Sequence, residues 1–506
     1  MVFTLKPVHL WAVFKLNFNP MKTVLRIAAF FCLTLPFSSC DDFLDVNPPY
    51  SQDAENYFRT PEDYQRALVG AYDLLQASFL SVWIGEIASD NTIAGGESFN
   101  DTQGLHQIDG MQHGAVNTEL RNVFRWNYAG IARVNFIMEN KDNIDFPGKA
   151  QLLAEARFLR AFYYFELTKF FGDIPLIIDE RLGIEDAAKR PRVPQPQVYD
   201  QIVADLLACI PDLSTVAAQK GRVTKAAAQA LLGKAYLYQN KYADALPVFE
   251  EIIQSGQFAL HPNYSELWTL VNEQNSETIF SVEYSGLEGG SYGCLVCLEG
   301  NAGPGFHGIR QYTGPVYGDG NSYNLPTPEL YAAFSQIDPR RDATVLDIEA
   351  FIAAQPNPSA ITYAVGGGGH TGYYNNKYIK RQGEIGLPDN DLTSPLNYKV
   401  IRYADVLLMA AEAHLMTGNK PQAQQYVNQV RSRVQIPGIS VNSIDDILKE
   451  RRLELACEGH RFFDLVRTGK AADFIAGYVP SKHDLFPIPQ VEIDLAGGSW
   501  MQNPGY

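Results

Sequence analysis

Apolar residues recur at helical spacing in two well-separated parts of the chain. Within residues 151–172 they lie on nearly every side of the predicted helix, as is typical of a helix packed between other helices. Gly172 and the nearby Pro175 predict where this helix ends. Helical spacing is equally clear in residues 225–256 and 403–433. These segments predict a mainly α fold.

Residues 225–256 and 403–433 also place small and large side chains at the spacing of tetratricopeptide repeats. Small residues let two antiparallel helices approach closely, and large residues fill the space between them. The positions that carry this spacing are Leu232, Gly233, Tyr236, Tyr242, Ala245 and Phe249 in one segment, and Ala410, Ala411, His414, Gly418, Ala423 and Val427 in the other. We predict a tetratricopeptide-like scaffold of helical hairpins over residues 50–280 and 400–470.

The region between the two helical parts has a different composition. Residues 283–330 and 355–398 are rich in Gly, Pro, Asn and Tyr, and they include a four-glycine run that ends at His370. Long loops inside a compact protein are usually functional or disordered, and the high aromatic content here favours order. We therefore predict a long, irregular, loop-rich ligand face over residues 283–398.

The N-terminal region has the layout of an exported protein. Lys22 and Arg26 precede an apolar core of about ten residues, and small residues then lead to Cys40. A cysteine at the cleavage site can accept a lipid, so we predict Cys40 as the lipid attachment site of a lipoprotein. The apolar core is too short for a membrane span of about 20 residues.

This signal divides the chain into two predicted parts. Translation is expected to start at Met21, so that residues 1–20 are an upstream extension and residues 1–39 are absent from the mature protein. Residues 40–506 are predicted to form a single domain without a transmembrane helix. Asp41 and Asp42 directly follow the lipidated cysteine.

The net charge and the number of cysteines argue against several classes of protein. The formal net charge of -16 argues against nucleic acid and against electrostatic docking on an anionic membrane surface. Outside the signal and Cys40, four cysteines remain, which are too few for a disulfide scaffold in a chain of this length. Cys294 and Cys297 could form a local disulfide or remain two free thiols.

Five motifs in one order resemble the SusD/RagB family of outer-membrane, nutrient-binding lipoproteins of Bacteroidetes, and together they extend over essentially the whole predicted mature chain. The motifs are CDDFLD at residues 40–45 with Pro48, AEARFLRAFYYFEL at 154–167 continuing to FGDIPL at 171–176, VIRYADVLLMAAEA at 400–413, ERRLELACEGHRFFDLVR at 450–467, and PIPQ at 487–490 with QNPGY at 502–506. The resemblance implies a tetratricopeptide scaffold, a glycan-binding loop face and a TonB-dependent SusC-like transporter as partner. It also implies an outer-membrane location facing the cell exterior, with Asp41 and Asp42 resembling a surface-export signal.

Sugar recognition needs flat apolar faces for the ring and hydrogen-bonding groups for the hydroxyls, and tyrosine supplies both. We therefore predict a glycan site on the loops. Its candidate residues are Asp90, Asn91, Phe99, Asn100, Tyr292, Phe306, His307, Arg310, Tyr312, Tyr317 and Tyr323. Tyr312 and Tyr317 are the principal candidates, and replacing either with Ala is expected to weaken glycan binding with little loss of stability.

We predict no catalytic residues, no metal and no cofactor. Several residues of the motifs are catalytic in type, but in helices this apolar they are expected to form buried, hydrogen-bonded pairs. They are Arg157, Arg160, Glu454, Glu458, His460, Arg461 and Asp464. His106, Asp109 and His113 could form a metal site, although a chance polar loop explains them better.

Two other functions remain open. A surface glycoside hydrolase would need a carboxylate pair, and no pair stands out by its spacing. A tetratricopeptide-type scaffold that binds a protein and no glycan would use the helical repeats alone.

Overall fold

The computed structural model describes residues 57–287, 300–384 and 392–506. Helices and strands are numbered within these residues. The helices are α1 (Pro61–Asp73), α2 (Ser78–Ile87), α3 (Gln103–Asp109), α4 (Thr118–Glu139), α5 (Lys149–Phe171), α6 (Ile184–Ala188), α7 (Gln195–Cys209), α8 (Lys225–Tyr238), α9 (Tyr242–Gln254), α10 (Gly303–His307), α11 (Pro328–Ala333), α12 (Arg340–Thr344), α13 (Ile348–Ala353), α14 (Tyr403–Met416), α15 (Lys420–Arg433), α16 (Ile444–Leu455), α17 (Arg461–Arg467), α18 (Ala471–Phe474) and α19 (Gln490–Leu495).

The strands are short and pair two by two. They are β1 (Thr92–Gly95), β2 (Ile174–Pro175), β3 (Arg192–Val193), β4 (Thr278–Val282), β5 (Ile309–Arg310), β6 (Asp319–Gly320), β7 (Tyr323–Pro326), β8 (Val345–Asp347), β9 (Tyr373–Asn375) and β10 (Tyr398–Arg402). Antiparallel pairs join β1 to β7, β2 to β3, β4 to β10 and β8 to β9, whereas β5 and β6 are parallel. The fold is therefore mainly α, as predicted.

Helix α5 lies at the centre of the N-terminal helices. Most of its side chains are buried, from Leu152 to Phe171, because α4 packs on one side of it and α7 on another. Gly172 ends the helix with a φ of +69°, a backbone conformation that glycine adopts without strain. The all-round apolar pattern of residues 151–172 thus corresponds to a helix enclosed by its neighbours.

The two predicted helical hairpins are present as α8 with α9 and α14 with α15. Ala245 and Ala411 are completely buried in them. Gly233 allows the close approach of α8 and α9, since a Cβ atom there would lie 2.3 Å from the ring of Phe249. The tetratricopeptide-like scaffold is confirmed.

The loop-rich region is more regular than its composition suggests. Its described residues contain strands β5 to β9 and helices α10 to α13. They also have a small core of their own, made of Ile309, Tyr312, Tyr317, Leu325, Leu346, Ile348, Tyr374 and Ile379. The many Gly and Pro residues break the chain into short elements, and the aromatic residues pack these elements together.

A buried ionic network ties this region to the C-terminal helices, because Arg340 donates to Glu450 at 2.6 Å and to Glu454 at 3.0 Å. Arg402, 1 % exposed, donates hydrogen bonds to Glu277, Glu454 and Glu458 at 2.6–2.8 Å. Burial alone would raise the pKa of Glu454, but the three guanidinium groups around it outweigh that effect and hold its pKa below the usual range. The carboxylates of this network are therefore structural.

Most of the motif residues that are catalytic in type belong to such pairs. Arg160 binds Asp205, and Asp464 binds Arg451. Glu454, Glu458 and Arg461 are also buried in ion pairs. Arg157 and His460 are half-buried and form no ion pair with the described residues. The predicted architectural role is confirmed for five of the seven.

Residues Phe58–Tyr506 form one compact unit. The predicted domain, residues 40–506, extends beyond the described residues and stays a prediction. By length and composition, the helical stretch Pro61–Ile87 could cross a membrane. It comprises α1, a short 3₁₀ turn and α2, and side chains such as Leu68 and Ile84 are buried in the fold.

Candidate functional site

Three loop segments meet at one surface, which we call the loop face: residues 95–101, Arg310 and residues 364–370. The glycine run lies directly against the first segment, because the backbone N–H of Gly367 donates to the Glu97 carbonyl at 2.7 Å. A Cβ atom at Gly366 would lie only 2.2 Å from the carbonyl oxygen of Gly96. Glycine is therefore required there for close packing of the two backbones.

Phe99 is the most exposed aromatic residue of this face. Its side chain is 67 % exposed, and one part of the ring contacts the imidazole of His106 with the ring centroids 5.1 Å apart. The turn that carries Phe99 is closed by the Asp101 N–H, which donates to the Ser98 carbonyl at 3.0 Å. Asn100 is exposed beside it. The arrangement presents an apolar ring next to a free amide.

The loop face also carries charged groups. A guanidinium nitrogen of Arg310 lies 2.9 Å from a carboxylate oxygen of Glu97, which is 64 % exposed. The Arg310 carbonyl accepts a hydrogen bond from Ala364 N–H at 2.8 Å, and this bond connects the second and third segments. Glu97 and Arg310 can each offer hydrogen bonds to a ligand while remaining paired with one another.

Some buried polar atoms beside the face have no hydrogen-bond partner within the described residues. They include the side-chain nitrogen of Asn321 and Nε2 of His106. The Asn321 backbone N–H donates to the Gly305 carbonyl at 3.1 Å, and the next residue, Ser322, accepts from Arg310 N–H at 3.0 Å. A face that carries an apolar ring, amides and charged groups is suited to a ligand that has both apolar faces and many hydroxyls.

Comparison with known proteins supports a family assignment. A family profile described as the SusD family matches residues 277–506, and one described as "Starch-binding associating with outer membrane" matches residues 42–237. A solved structure titled "Laminarin binding SusD-like protein" is 34% identical over 89% of this chain and 100% of its own, with a TM-score of 0.82. The chain belongs to the SusD family.

Two further relatives agree with this assignment. Surface glycan-binding protein A from Bacteroides thetaiotaomicron, solved in complex with laminarihexaose, is 28% identical, with a TM-score of 0.80 over 88% of this chain and 99% of its own. SusD-like protein P38 from Formosa agariphila is 27% identical over 86% of this chain and 89% of its own length. The resemblance to the SusD/RagB family is confirmed, and the family description associates its members with the outer membrane.

The predicted site residues of this SusD-family protein are divided between surface and core. Phe99, Asn100 and Arg310 lie on the loop face. Tyr323 lies beneath it, buried, with its hydroxyl donating to the Asp101 carboxylate. The glycan-binding role of all four residues stays a prediction.

Asp90 and Asn91 are already engaged within the SusD-family fold. Asp90 accepts from Arg461 at 2.7 Å, and Asn91 accepts from Arg452 at 2.9 Å. The Asn91 amide also donates to Glu86 at 3.0 Å. Since these hydrogen bonds use most of their polar atoms, the two residues connect α2 to the C-terminal helices and are poorly placed to bind sugar hydroxyls.

Phe306 and His307 lie in an aromatic cluster under the face. The ring of Phe306 packs 4.9 Å from Trp83 and 5.6 Å from Tyr323, measured between centroids. Burial lowers the pKa of His307 to about 4, so its imidazole is neutral at physiological pH. Both residues support the loop face from within.

Tyr312 and Tyr317 are placed differently from what their sequence context suggests. Each is 6 % exposed, and their ring centroids lie 6.3 Å apart inside the small core of the loop region. The Tyr312 hydroxyl donates to the Pro315 carbonyl at 2.8 Å. Because packing occupies both rings, the structure argues against the expectation that either could be removed with little loss of stability. Their glycan-binding role stays a prediction.

Several predicted residues lie outside the described part of the chain. They are Cys40, Asp41, Asp42 and Tyr292, together with Cys294 and Cys297. Their predicted roles stay predictions.

The loop face also includes residues outside the set of eleven predicted binding residues. Glu97 could not be recognised as a site residue from the sequence, because its partner Arg310 lies more than 200 residues away along the chain. His370 follows the four-glycine run in the sequence. In the structure it is exposed, and its ring centroid lies 5.9 Å from that of Tyr363.

In the described residues, no group of three or more His, Cys, Asp or Glu side chains is arranged to hold a metal ion. Two of the three weak metal candidates, Asp109 and His113, have other partners. Asp109 accepts from Ala94 N–H at 2.9 Å, and the His113 imidazole lies 2.8 Å from the Tyr506 hydroxyl.

Proposed function

We propose that this protein is a non-catalytic, cell-surface glycan-binding lipoprotein whose loop face binds a laminarin-type glucan. The exposed ring of Phe99, on a face that also carries Asn100 and the Arg310–Glu97 pair, is the observation that carries the proposal. The 34% identical relative whose title says that it binds laminarin supports the choice of ligand.

Calorimetric titration of the purified protein with laminarin and laminarihexaose tests this proposal, with starch and other plant, host and microbial glycans as comparisons. We expect saturable binding with micromolar to millimolar affinity, because few side chains supply the contact area and ordering a flexible sugar opposes it. Absence of binding to every glycan would contradict the proposal. Release of reducing sugar by the protein alone would favour the hydrolase instead.

Replacing Phe99 with Ala is expected to weaken laminarihexaose binding about tenfold, since the ring face that covers the sugar is lost. Stability should change little, because the ring is mostly exposed. Titration and thermal melting of the same preparation measure both effects.

The matched control is Val271→Ala, which removes an apolar side chain that is 92 % exposed outside the loop face. It should leave affinity unchanged. Asn100→Ala should have a smaller effect than Phe99→Ala. Equal affinity for the wild type and Phe99→Ala would mean that the glycan site lies elsewhere.

We also propose that Cys40 carries the lipid anchor and that Asp41 and Asp42 direct the protein to the cell exterior. Cys40→Ala should release the protein from the membrane or leave it uncleaved. The change removes the residue proposed to carry the acyl chains, and stable anchoring needs more than one such chain. Replacing both aspartates with Ala should lower surface exposure, measured by protease treatment of whole cells, while lipidation measured by mass spectrometry is retained. An unmodified mature N-terminus elsewhere would contradict the first expectation.

The proposed function includes delivery of the glycan to a TonB-dependent SusC-like transporter. Gentle solubilisation of membranes should recover this protein together with a chain of barrel size. Recovery of the protein alone, under conditions in which such barrels stay intact, would indicate an independent binding protein.

A further inference from the structure

An apolar groove lies on α4, and we call it the α4 groove. It has a volume of about 370 Å³, within the range of about 300–1,000 Å³ that is usual for small-molecule sites. One side is formed by residues 175–182, and the other by residues 492–500. Arg310, Phe99 and the glycine run do not line it, so it is separate from the loop face.

The sequence of α4 explains why this groove exists. Ala129 and Ala132 lie on the helix face that forms the floor, and neither is fully buried. Larger side chains on both sides, including Leu182 and Leu495, leave the space above the two alanines open. Leu495 is 51 % exposed in spite of its apolar side chain.

The polar side-chain atoms of Tyr128 and Trp500, two of the aromatic residues that line the groove, already have protein partners. The Tyr128 hydroxyl donates to the Pro175 carbonyl at 2.7 Å, and the Trp500 indole N–H donates to the Arg190 carbonyl at 2.8 Å. Asn135 at the floor donates to the Ile177 carbonyl at 3.0 Å. The walls therefore offer mainly apolar surface, and a sugar would find few partners for its hydroxyls.

Four charged side chains line the groove, and three of them are paired. The pairs are Arg181 with Glu139, Glu180 with Arg190, and Glu492 with Arg121. Arg125 is exposed and forms no hydrogen bond or ion pair with any described residue. A ligand that matches the groove has an apolar body and one negative charge.

We propose that the α4 groove binds a free fatty acid, with its acyl chain above Ala129 and Ala132 and its carboxylate on Arg125. The apolar lining of the groove suits an acyl chain, and a guanidinium group can bind a carboxylate with two parallel hydrogen bonds. This site adds a second ligand class to the protein and does not depend on glycan binding.

The test is calorimetric titration of the purified protein with decanoate below its micelle-forming concentration. We expect saturable binding that strengthens from octanoate to decanoate to dodecanoate, because each added methylene buries further apolar surface. Arg125→Ala should weaken decanoate binding while leaving 1-decanol unaffected, and Arg125→Lys should restore part of the loss. Laminarin binding should stay unchanged in both variants.

Ala132→Leu places a larger side chain in the groove and should weaken decanoate binding by about tenfold or more, because the acyl chain and the new side chain compete for one space. Ala243→Leu, at an exposed position of α9 outside the groove, is the matched control. Leu495→Ser provides a second variant on the opposite wall and should also weaken binding.

Several outcomes would overturn the proposal. They are the absence of saturable decanoate binding, equal affinity in the wild type and Ala132→Leu, and binding to phosphatidylglycerol vesicles without binding to free decanoate. A dimer that Ala132→Leu dissociates in sedimentation would assign the groove to contact between two copies of the chain instead.

Discussion

Replacing Arg402 with Met is expected to lower the free energy of unfolding by about 3–5 kcal/mol, because the change removes the one cation that, among the described residues, three buried carboxylates share. The guanidinium group is the shared partner of Glu277, Glu454 and Glu458, each of which is at most 1 % exposed. Methionine fills much of the space of the arginine stem and donates no hydrogen bond. The loss therefore arises from lost ion pairs more than from a cavity.

Denaturant unfolding of both proteins measures this difference, with Arg341→Met as the matched control. Arg341 pairs with Asp342 at 2.8 Å, but the two side chains are 23 % and 72 % exposed. Exposed pairs contribute at most about 1 kcal/mol, so the control should be close to the wild type. Equal stability of Arg402→Met and Arg341→Met would mean that the network is not a major source of stability.

The network also shows which part of the fold the sequence could predict. The charged residues of 450–467 alternate with many apolar ones in α16, in α17 and in the turn between them. This local pattern was sufficient to predict buried pairs for Glu454 and Glu458. Their partners could not be predicted, because Arg340 and Arg402 lie more than 50 residues away along the chain. The spacing of apolar residues in the sequence predicts whether a residue is buried. The identity of its ion-pair partner depends on the tertiary fold.

The loop face illustrates the same limit for the candidate site. Composition correctly indicated an ordered, aromatic region, but it could not tell which rings face solvent. Phe99 and Tyr317 both lie in loops between short elements, yet one is 67 % exposed and the other 6 %. The difference arises from contacts with distant segments, such as the packing of Tyr317 against Phe351 with ring centroids 5.1 Å apart.

Replacing Tyr317 with Ala is therefore expected to lower the free energy of unfolding by about 3 kcal/mol, because a buried ring is replaced by a cavity. Thermal and denaturant unfolding measure this loss. Glycan affinity, measured well below the melting temperature, should stay close to that of the wild type. Phe99→Ala should show the opposite combination, with weakened glycan binding and nearly unchanged stability.

Tyr317→Phe separates the ring from its hydroxyl. The hydroxyl donates to Asn376 at 3.3 Å, a long hydrogen bond, so its removal should cost about 1 kcal/mol or less. Tyr317→Ala could instead abolish glycan binding and leave stability unchanged. The ring would then contact the sugar directly, and Tyr317 would have to be exposed in the glycan-bound protein. The two variants thus distinguish a side chain that supports the loop face from one that contacts the sugar.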